Sequence, residues 1–69
     1  MKVKYSSKEM NEIFVDIEHD ADISYLWKWG TYEELSNGDY AITPPLNNPR
    51  ITFQTALRNL VRISNETNN

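Results

Sequence analysis

The clearest hydrophobic pattern of the chain lies in residues 51–63. Its apolar side chains recur at the i, i+3, i+4, i+7 and i+8 positions of one helix face: Phe53, Ala56, Leu57, Leu60 and Val61. An amphipathic helix this short is stabilised by packing rather than by its own hydrogen bonds. The pattern therefore predicts a helix over about residues 52–65 that packs on the rest of the chain, with residues 64–69 as a frayed polar tail.

A second helical pattern covers residues 7–20. Its apolar residues also follow one another at helical spacing: Met10, Ile13, Phe14, Ile17 and Ala21. Ser6 and Glu9 have the spacing of a capping box at the start of such a helix. The two features together predict a second amphipathic helix, whose apolar face packs against the first.

Residues 23–29 are rich in aromatic side chains. We interpret this segment as a β-strand, because aromatic residues favour strands and Gly30 ends the run after few residues. A helix here would instead group Ile23, Leu26 and Trp27 on one face.

Two further segments have the character of strands. In residues 1–5, Val3 and Tyr5 alternate with lysines, which suits the edge of a sheet. Residues 39–43 read as a strand that stops before Pro44.

Residues 31–38 allow two interpretations. Thr31 and Glu34 could cap a short helix that ends at Asn37-Gly38, and Glu33 with Leu35 favours this reading. Alternatively, Asn37-Gly38 is the type I′ turn of a hairpin that joins residues 32–36 to 39–43.

These elements predict a single small α+β domain over residues 1–69. Two amphipathic helices, over about residues 7–20 and 52–65, pack on a small antiparallel sheet from residues 23–29 and 39–43, edged by residues 1–5. The predicted core consists of ten residues: Val3, Ile13, Phe14, Ile17, Leu26, Ile42, Phe53, Leu57, Leu60 and Val61.

Composition excludes several classes of site. The 69 residues include no cysteine and one histidine, so disulfides, thiolate metal sites and multi-histidine zinc sites are not available. No apolar run approaches the roughly 20 residues of a membrane span, and no signal peptide is evident. We therefore expect a soluble protein of the cytoplasm that binds no metal and no cofactor.

The acid-rich segment from Asp16 to Asp22 resembles a calcium loop only in its alternating carboxylates. Its sixth position is Ala21, where that loop needs glycine, and its twelfth is Trp27, where the loop needs a bidentate glutamate. With glycine only at positions 30 and 38, phosphate-binding glycine loops are absent too. A catalytic triad could use only His19, so we expect no enzyme activity.

The net charge of −3 is unevenly distributed, because nine of the ten acidic residues lie within residues 9–39. This asymmetry bears on partners rather than on fold. We predict a non-catalytic protein-binding module, a regulator or inhibitor that docks on a basic surface of another protein. Mimicry of DNA phosphates, as in some phage proteins, is one form of this function, and self-association is a further option. The predicted contact residues are Glu9, Glu12, Asp16, Asp20, Trp27 and Trp29.

The alternative function is binding of nucleic acid through the basic second half of the chain. Arginine, threonine and asparagine supply donors for phosphates and base edges. The residues that would serve are Arg50, Arg58, Arg62, Thr55 and Asn59.

Overall fold

The computed structural model describes residues 1–67 and contains one antiparallel sheet of four strands. The strands lie in the order β1-β2-β4-β3, so that two hairpins meet along the β2–β4 seam. The predicted α+β class with a small antiparallel sheet is therefore confirmed. The strand bounds are β1 Lys2–Ser7, β2 Glu12–Asp16, β3 Thr31–Glu34 and β4 Tyr40–Thr43.

Two helices and a short 3₁₀ turn complete the fold. The 3₁₀ helix Asp20–Asp22 runs directly into α1, Ile23–Leu26, and together they connect β2 to β3. The long helix α2, Phe53–Thr67, follows β4 after an irregular loop. The prediction of a helix over residues 52–65 is confirmed, and that helix continues through residues 64–67, where we expected a frayed tail. Residues 68–69 of that tail lie outside the described residues.

The predicted helix over residues 7–20 is wrong, because this segment is the turn and second strand of a hairpin. Asn11 adopts a left-handed conformation (φ 56°) that closes the turn after Lys8. Ser7, rather than Ser6, accepts a hydrogen bond from a nearby backbone amide, that of Met10, so the serine stabilises a turn and not a helix start. Ile13 and Val15 are β-branched and pack well in a strand, and this packing outweighs the helical spacing of the segment.

The segment 23–29 was also predicted wrongly, since its first half is α1 and not a strand. The helix turns Leu26 into the core. Trp27, which the alternative helix grouped on the same face as Leu26, lies outside and is 64% exposed. Gly30 ends the segment at a close approach to β4. A side chain at this position would lie 2.1 Å from the backbone oxygen of Thr43, so the chain needs glycine there.

Residues 31–38 form the hairpin that the second interpretation anticipated, and the short helix is wrong. The turn differs from the expected type I′ geometry, which needs a positive φ at both Asn37 and Gly38. Only Gly38 (φ 90°) has one. Gly38 donates its N–H to the oxygen of Leu35, and Leu35 donates to the oxygen of Asp39. This is a three-residue hairpin loop with a glycine bulge.

Helix α2 begins with a threonine cap. The Thr52 hydroxyl accepts a hydrogen bond from the Thr55 amide, and the Thr52 carbonyl accepts one from Ala56. Asn48 instead closes a turn of its own, accepting bonds from the amides of Arg50 and Ile51. The helix therefore starts at Phe53 rather than at Pro49.

The core lies between α2, α1 and one face of the sheet. Val61, which we predicted to be buried, is 38% exposed, because Ala56, Leu60 and Ile63 form the centre of the helix face that packs on the sheet. Of the other predicted residues, Val3, Ile17, Phe53 and Leu57 pack partly buried against this core. The buried cluster consists of Met1, Ile13, Val15, Leu26, Ile42, Ala56, Leu60 and Ile63.

A buried ion pair ties the start of β1 to the connection between β2 and β3. The amino group of Met1 donates to Asp22 Oδ2 at 2.8 Å, and both groups are almost completely shielded from solvent. Removing one member of a buried ion pair is costly, because the other charge stays behind in a poorly solvated place. The acid at position 22 is therefore structural, whereas its neighbour Asp20 is exposed.

The core assignment predicts different effects for two neighbouring substitutions in α2. Leu60→Ala should lower the free energy of unfolding by about 2–5 kcal/mol, since it leaves a cavity in the closed core. Val61→Ala should cost only about 0.5 kcal/mol, because Val61 is exposed and surface substitutions usually have effects of this size. Urea denaturation followed by circular dichroism measures both, and equal losses would show that the buried face is assigned wrongly.

The buried ion pair makes a second pair of predictions. Asp22→Asn keeps the shape of the side chain but removes its charge, and should lower the free energy of unfolding by about 3–5 kcal/mol. Asp20→Asn is the matched control, and should change stability by about 0.5 kcal/mol or less. Thermal unfolding of the chain with a free Met1 amino group tests this, and an Asp22→Asn variant as stable as the control would refute it.

Candidate protein-binding surface

The helices pack on one face of the sheet and leave the opposite face open. Alternation along β2 sends Ile13 and Val15 into the core and Phe14 to the other side. Phe14 lies opposite Tyr5 of β1 and Ala41 of β4. We call this side the open sheet face.

An aromatic pair forms the centre of the open sheet face. The rings of Tyr5 and Phe14 are stacked, with centroids 4.3 Å apart and planes inclined by 16°. Tyr5 shields Phe14, which is only 8% exposed, but is itself 58% exposed. A large exposed aromatic ring on a firmly packed base is the kind of feature that dominates protein interfaces.

Carboxylates flank this aromatic pair along β2. Glu12 and Asp16 stand at the two ends of the strand, on the same face as Phe14 and roughly 13 Å apart at the usual rise of a strand. Glu33 of β3 lies on this face as well, opposite Ala41. The open sheet face thus has an apolar centre and a margin with three acids, one of which, Asp16, lies opposite Lys2 of β1.

Most acidic side chains of the protein have no cationic partner within residues 1–67. Asp22, Asp39 and Glu66 form the ion pairs, with Met1, Lys4 and Arg62 respectively. The remaining seven carboxylates form no ion pair with a described residue, and so they can attract an outside cation. They are Glu9, Glu12, Asp16, Glu18, Asp20, Glu33 and Glu34.

The structure separates the acids that we expected in one row along a helix. Glu12 and Asp16 share the open sheet face, whereas Glu9 lies in the β1–β2 turn and Asp20 in the 3₁₀ helix. The predicted row is therefore wrong. Asp16 ends a strand and Asp22 is used in an ion pair, so the acid-rich segment does not form the loop of a calcium site either.

Asp20 belongs to a second group of acids, which lies where β3 ends and β4 begins. Partial burial raises the pKa of Tyr40 above its ordinary value of 10.0, and the negative charges of Glu34 and Asp20 raise it further. The ring of Tyr32 lies 6.0 Å from that of Tyr40.

Lys4 contributes a cation to the open sheet face. Its Nζ donates a hydrogen bond to Asp39 Oδ2 at 2.9 Å. This bond and the charge of Asp39 raise the pKa of Lys4 above its ordinary value of 10.5, and Asp16 adds to the effect. Asn37 donates to the same carboxylate oxygen, which fixes Asp39 beside the hairpin turn.

An apolar groove adjoins the open sheet face at the start of β3. It has a volume of about 560 Å³, and Thr31 and Thr43, which pair across β3 and β4, lie in its wall. Trp27 is 64% exposed and Leu46 is 85% exposed, which is unusual for such large apolar side chains. We call this feature the Trp27 groove; it is lined also by Lys28, Gly30, Pro44, Pro45, Asn47 and Ile51.

Trp29 is less exposed than Trp27. It is partly buried and packs against the core cluster. Its Nε1 is shielded from solvent and has no hydrogen-bond partner among residues 1–67. The two tryptophans that were predicted together as contacts therefore differ in exposure. Trp27 is largely exposed in a surface groove, and the half-buried Trp29 packs on the core and lines a smaller cavity with Tyr25 and Arg62.

The residues of the nucleic-acid alternative lie on α2 and in the loop before it. Arg62 donates to Glu66 at 3.1 Å and to Asn59 at 3.5 Å, so part of its donor capacity is used within the helix. Asn59 in turn donates to the backbone oxygen of Thr55. Arg58 and Arg50 are exposed and form no ion pair with another described residue.

Several surface residues were not found from the sequence. The sequence pattern indicates Tyr5 only as part of a strand, and Glu33 only as a residue that favours a helix. Leu46 lies in the irregular loop after β4, for which the sequence pattern makes no prediction. Asn11 is the residue that could have indicated them. Asparagine favours the left-handed conformation at the end of a turn, so it could have predicted the β1–β2 hairpin and hence the open sheet face.

The raised pKa values predict a loss of stability in alkaline solution. A group whose pKa is higher in the folded state stabilises the fold below its ordinary pKa, and this contribution is lost as the pH rises through the folded value. For Tyr40 and Lys4 that loss should begin near pH 10. Thermal midpoints from pH 8 upward measure it. Tyr40→Phe should flatten the decline, and an unchanged slope in that variant would contradict the prediction.

Comparison with known proteins adds no relative. The chain matches no protein-family model, no curated protein and no solved structure. Within residues 1–67, no helix has both the length and the apolar character needed to cross a membrane. The function therefore has to be argued from the geometry of this surface.

Proposed function

We propose that this protein is a non-catalytic, acidic protein-binding module that docks on a basic surface of another protein. The observation that carries the proposal is the open sheet face, in which an exposed aromatic ring is flanked by acids that form no ion pair with a described residue. Protein interfaces commonly combine such an apolar centre with a charged margin. We place the function in the cytoplasm, because disulfides are rare in that reducing compartment and this chain has no cysteine to form one.

The electrostatic role of the acids is to guide a basic partner. Unneutralised carboxylates on one side of a small protein create a field that attracts a cationic surface before contact. A nucleic-acid-binding protein has a surface of this kind, so the module could act as a regulator or inhibitor that mimics the phosphates of DNA. The aromatic pair of Tyr5 and Phe14 would then supply the apolar contact.

The test begins with capture of the partner and proceeds to kinetics. Proteins retained by the immobilised module from a lysate at low salt are identified, and the association of each purified protein is followed by surface plasmon resonance. Glu12→Lys and Asp16→Lys should each slow association about threefold to tenfold and weaken its dependence on salt. Tyr5→Ala should mainly accelerate dissociation, because it removes a buried contact rather than a long-range charge.

Glu66→Lys is the matched control, because it changes the net charge equally but lies on α2. A genuine partner should lose association rate with the two β2 variants and much less with the control. Equal slowing by all three variants would mean that net charge alone attracts the captured protein. Failure to retain any protein at low salt would count against the proposal as a whole.

Binding of nucleic acid through α2 remains the alternative. Its test is a mobility shift with single- and double-stranded DNA and RNA at low salt, where binding through phosphates is strongest. A shift that weakens linearly with the logarithm of salt concentration, and that Arg58→Ala reduces, would replace the proposed function with this one.

A further inference from the structure

The sheet has two edges, and α2 covers one of them. The Val3 amide at the β1 edge donates a hydrogen bond to Ser64 Oγ of α2 at 3.4 Å. An irregularity between Val3 and Tyr5 also bends this strand, and lysines flank it. Bulges and lysines are the usual means by which a sheet edge is kept from pairing with another chain.

The β3 edge has no such cover. All residues of β3 are exposed, and within residues 1–67 this strand pairs with β4 alone. The bond from the Leu35 amide to the Asp39 oxygen fixes which residues face β4. Since hydrogen-bonded and non-bonded pairs alternate along an antiparallel ladder, Glu33 points its backbone groups toward β4, and Tyr32 and Glu34 point theirs outward.

We propose that the β3 edge receives an extended segment of a partner protein as an additional β-strand, with basic side chains opposite Glu33 and Glu34. This inference rests on the proposed function, because it names the part of a basic partner that is bound. Main-chain hydrogen bonds to Tyr32 and Glu34 supply affinity in this mode of recognition, and the side chains beside them supply specificity.

The charge of the edge selects the occupant. Glu33 and Glu34 follow one another in a strand, so their side chains point to opposite faces, and neither forms an ion pair with a described residue. A strand with two adjacent basic residues satisfies both. A second copy of β3 would instead bring four carboxylates to one seam, and like charges across paired strands are destabilising.

The Trp27 groove extends the same site. Thr31, the first residue of β3, lies in the groove wall together with Gly30. A strand added along β3 therefore continues past Thr31 into the space between Trp27 and Leu46. An apolar residue about three positions beyond the basic pair would fill that space, at the usual rise of a strand. The recognised segment thus has adjacent basic residues and an apolar anchor at one end.

Two synthetic peptides, TKRVTVL and its reverse LVTVRKT, probe this site in the two possible strand directions. NMR titration of the whole chain should shift the amide signals of β3 and the indole signal of Trp27. Hydrogen exchange of the Tyr32 and Glu34 amides should slow at least about tenfold at saturation, because these amides become hydrogen-bonded. Peptides with glutamate in place of both basic residues should bind at least about tenfold more weakly.

Two variants at one position separate charge from backbone pairing. Glu34→Gln should weaken peptide binding modestly, whereas Glu34→Pro should abolish it, since proline also removes the outward N–H and is tolerated at an edge. If Glu34→Pro does not fold, the peptide TKRPTVL provides the same test, because its proline removes an N–H from the added strand. Equal binding of TKRPTVL and TKRVTVL would overturn strand addition.

Two results with the peptides would overturn the inference: neither peptide protects a β3 amide, or the glutamate peptides bind equally well. Two other results would also overturn it: the β3 amides become protected by self-association without peptide, or a single-stranded oligonucleotide protects them instead.

The captured partner distinguishes this inference from the proposed function. If Asp16→Lys impairs partner binding and Glu34→Pro does not, the proposed function stands and strand addition falls. If neither variant matters, both fall.

Discussion

The structure depends on a limit that its size imposes: one amphipathic helix of this length can cover only one face of a four-stranded sheet. The apolar face of α2 is buried against Ile13, Val15 and Ile42, and α1 adds Leu26 to the same side. With 69 residues, the chain has no further described element for the other face. The stacking of Tyr5 on Phe14 is therefore what shields the second side of the sheet, and it also leaves an aromatic ring exposed to solvent.

The parts of the fold that could be predicted are those with only one physical interpretation. Helix α2 has a strict helical period and a threonine cap, and β1 has a clear alternation next to lysines. The β2 segment was misassigned because Ile13, Phe14 and Ile17 satisfy helical spacing, while a strand buried on both sides has no alternation to reveal it. Only tertiary packing, through β4 on one side and β1 on the other, decides between the two periods.

The candidate surface was predictable in its chemistry but not in its geometry. An excess of acids in the first half of the chain is visible in the sequence, and so is the presence of two tryptophans nearby. Which acids face outward together depends on strand register, and a shift of one residue would exchange Glu12 and Asp16 with Ile13 and Val15. In the same way, the exposure of Trp27 and the partial burial of Trp29 follow from the end of a one-turn helix, which no spacing in the sequence indicates.

The meeting of two hairpins along the β2–β4 seam has a consequence for how the chain folds. Each hairpin closes over a short loop that ends in a left-handed residue, Asn11 or Gly38, and such local closure is fast, on the order of microseconds. The pairing of Ile13 with Ile42 instead closes a long stretch of chain, and it therefore costs more chain entropy than the closure of either hairpin. The folding rate is then governed by the encounter of two preformed halves, and α2, which packs along β1, has a complete surface to cover only after that encounter.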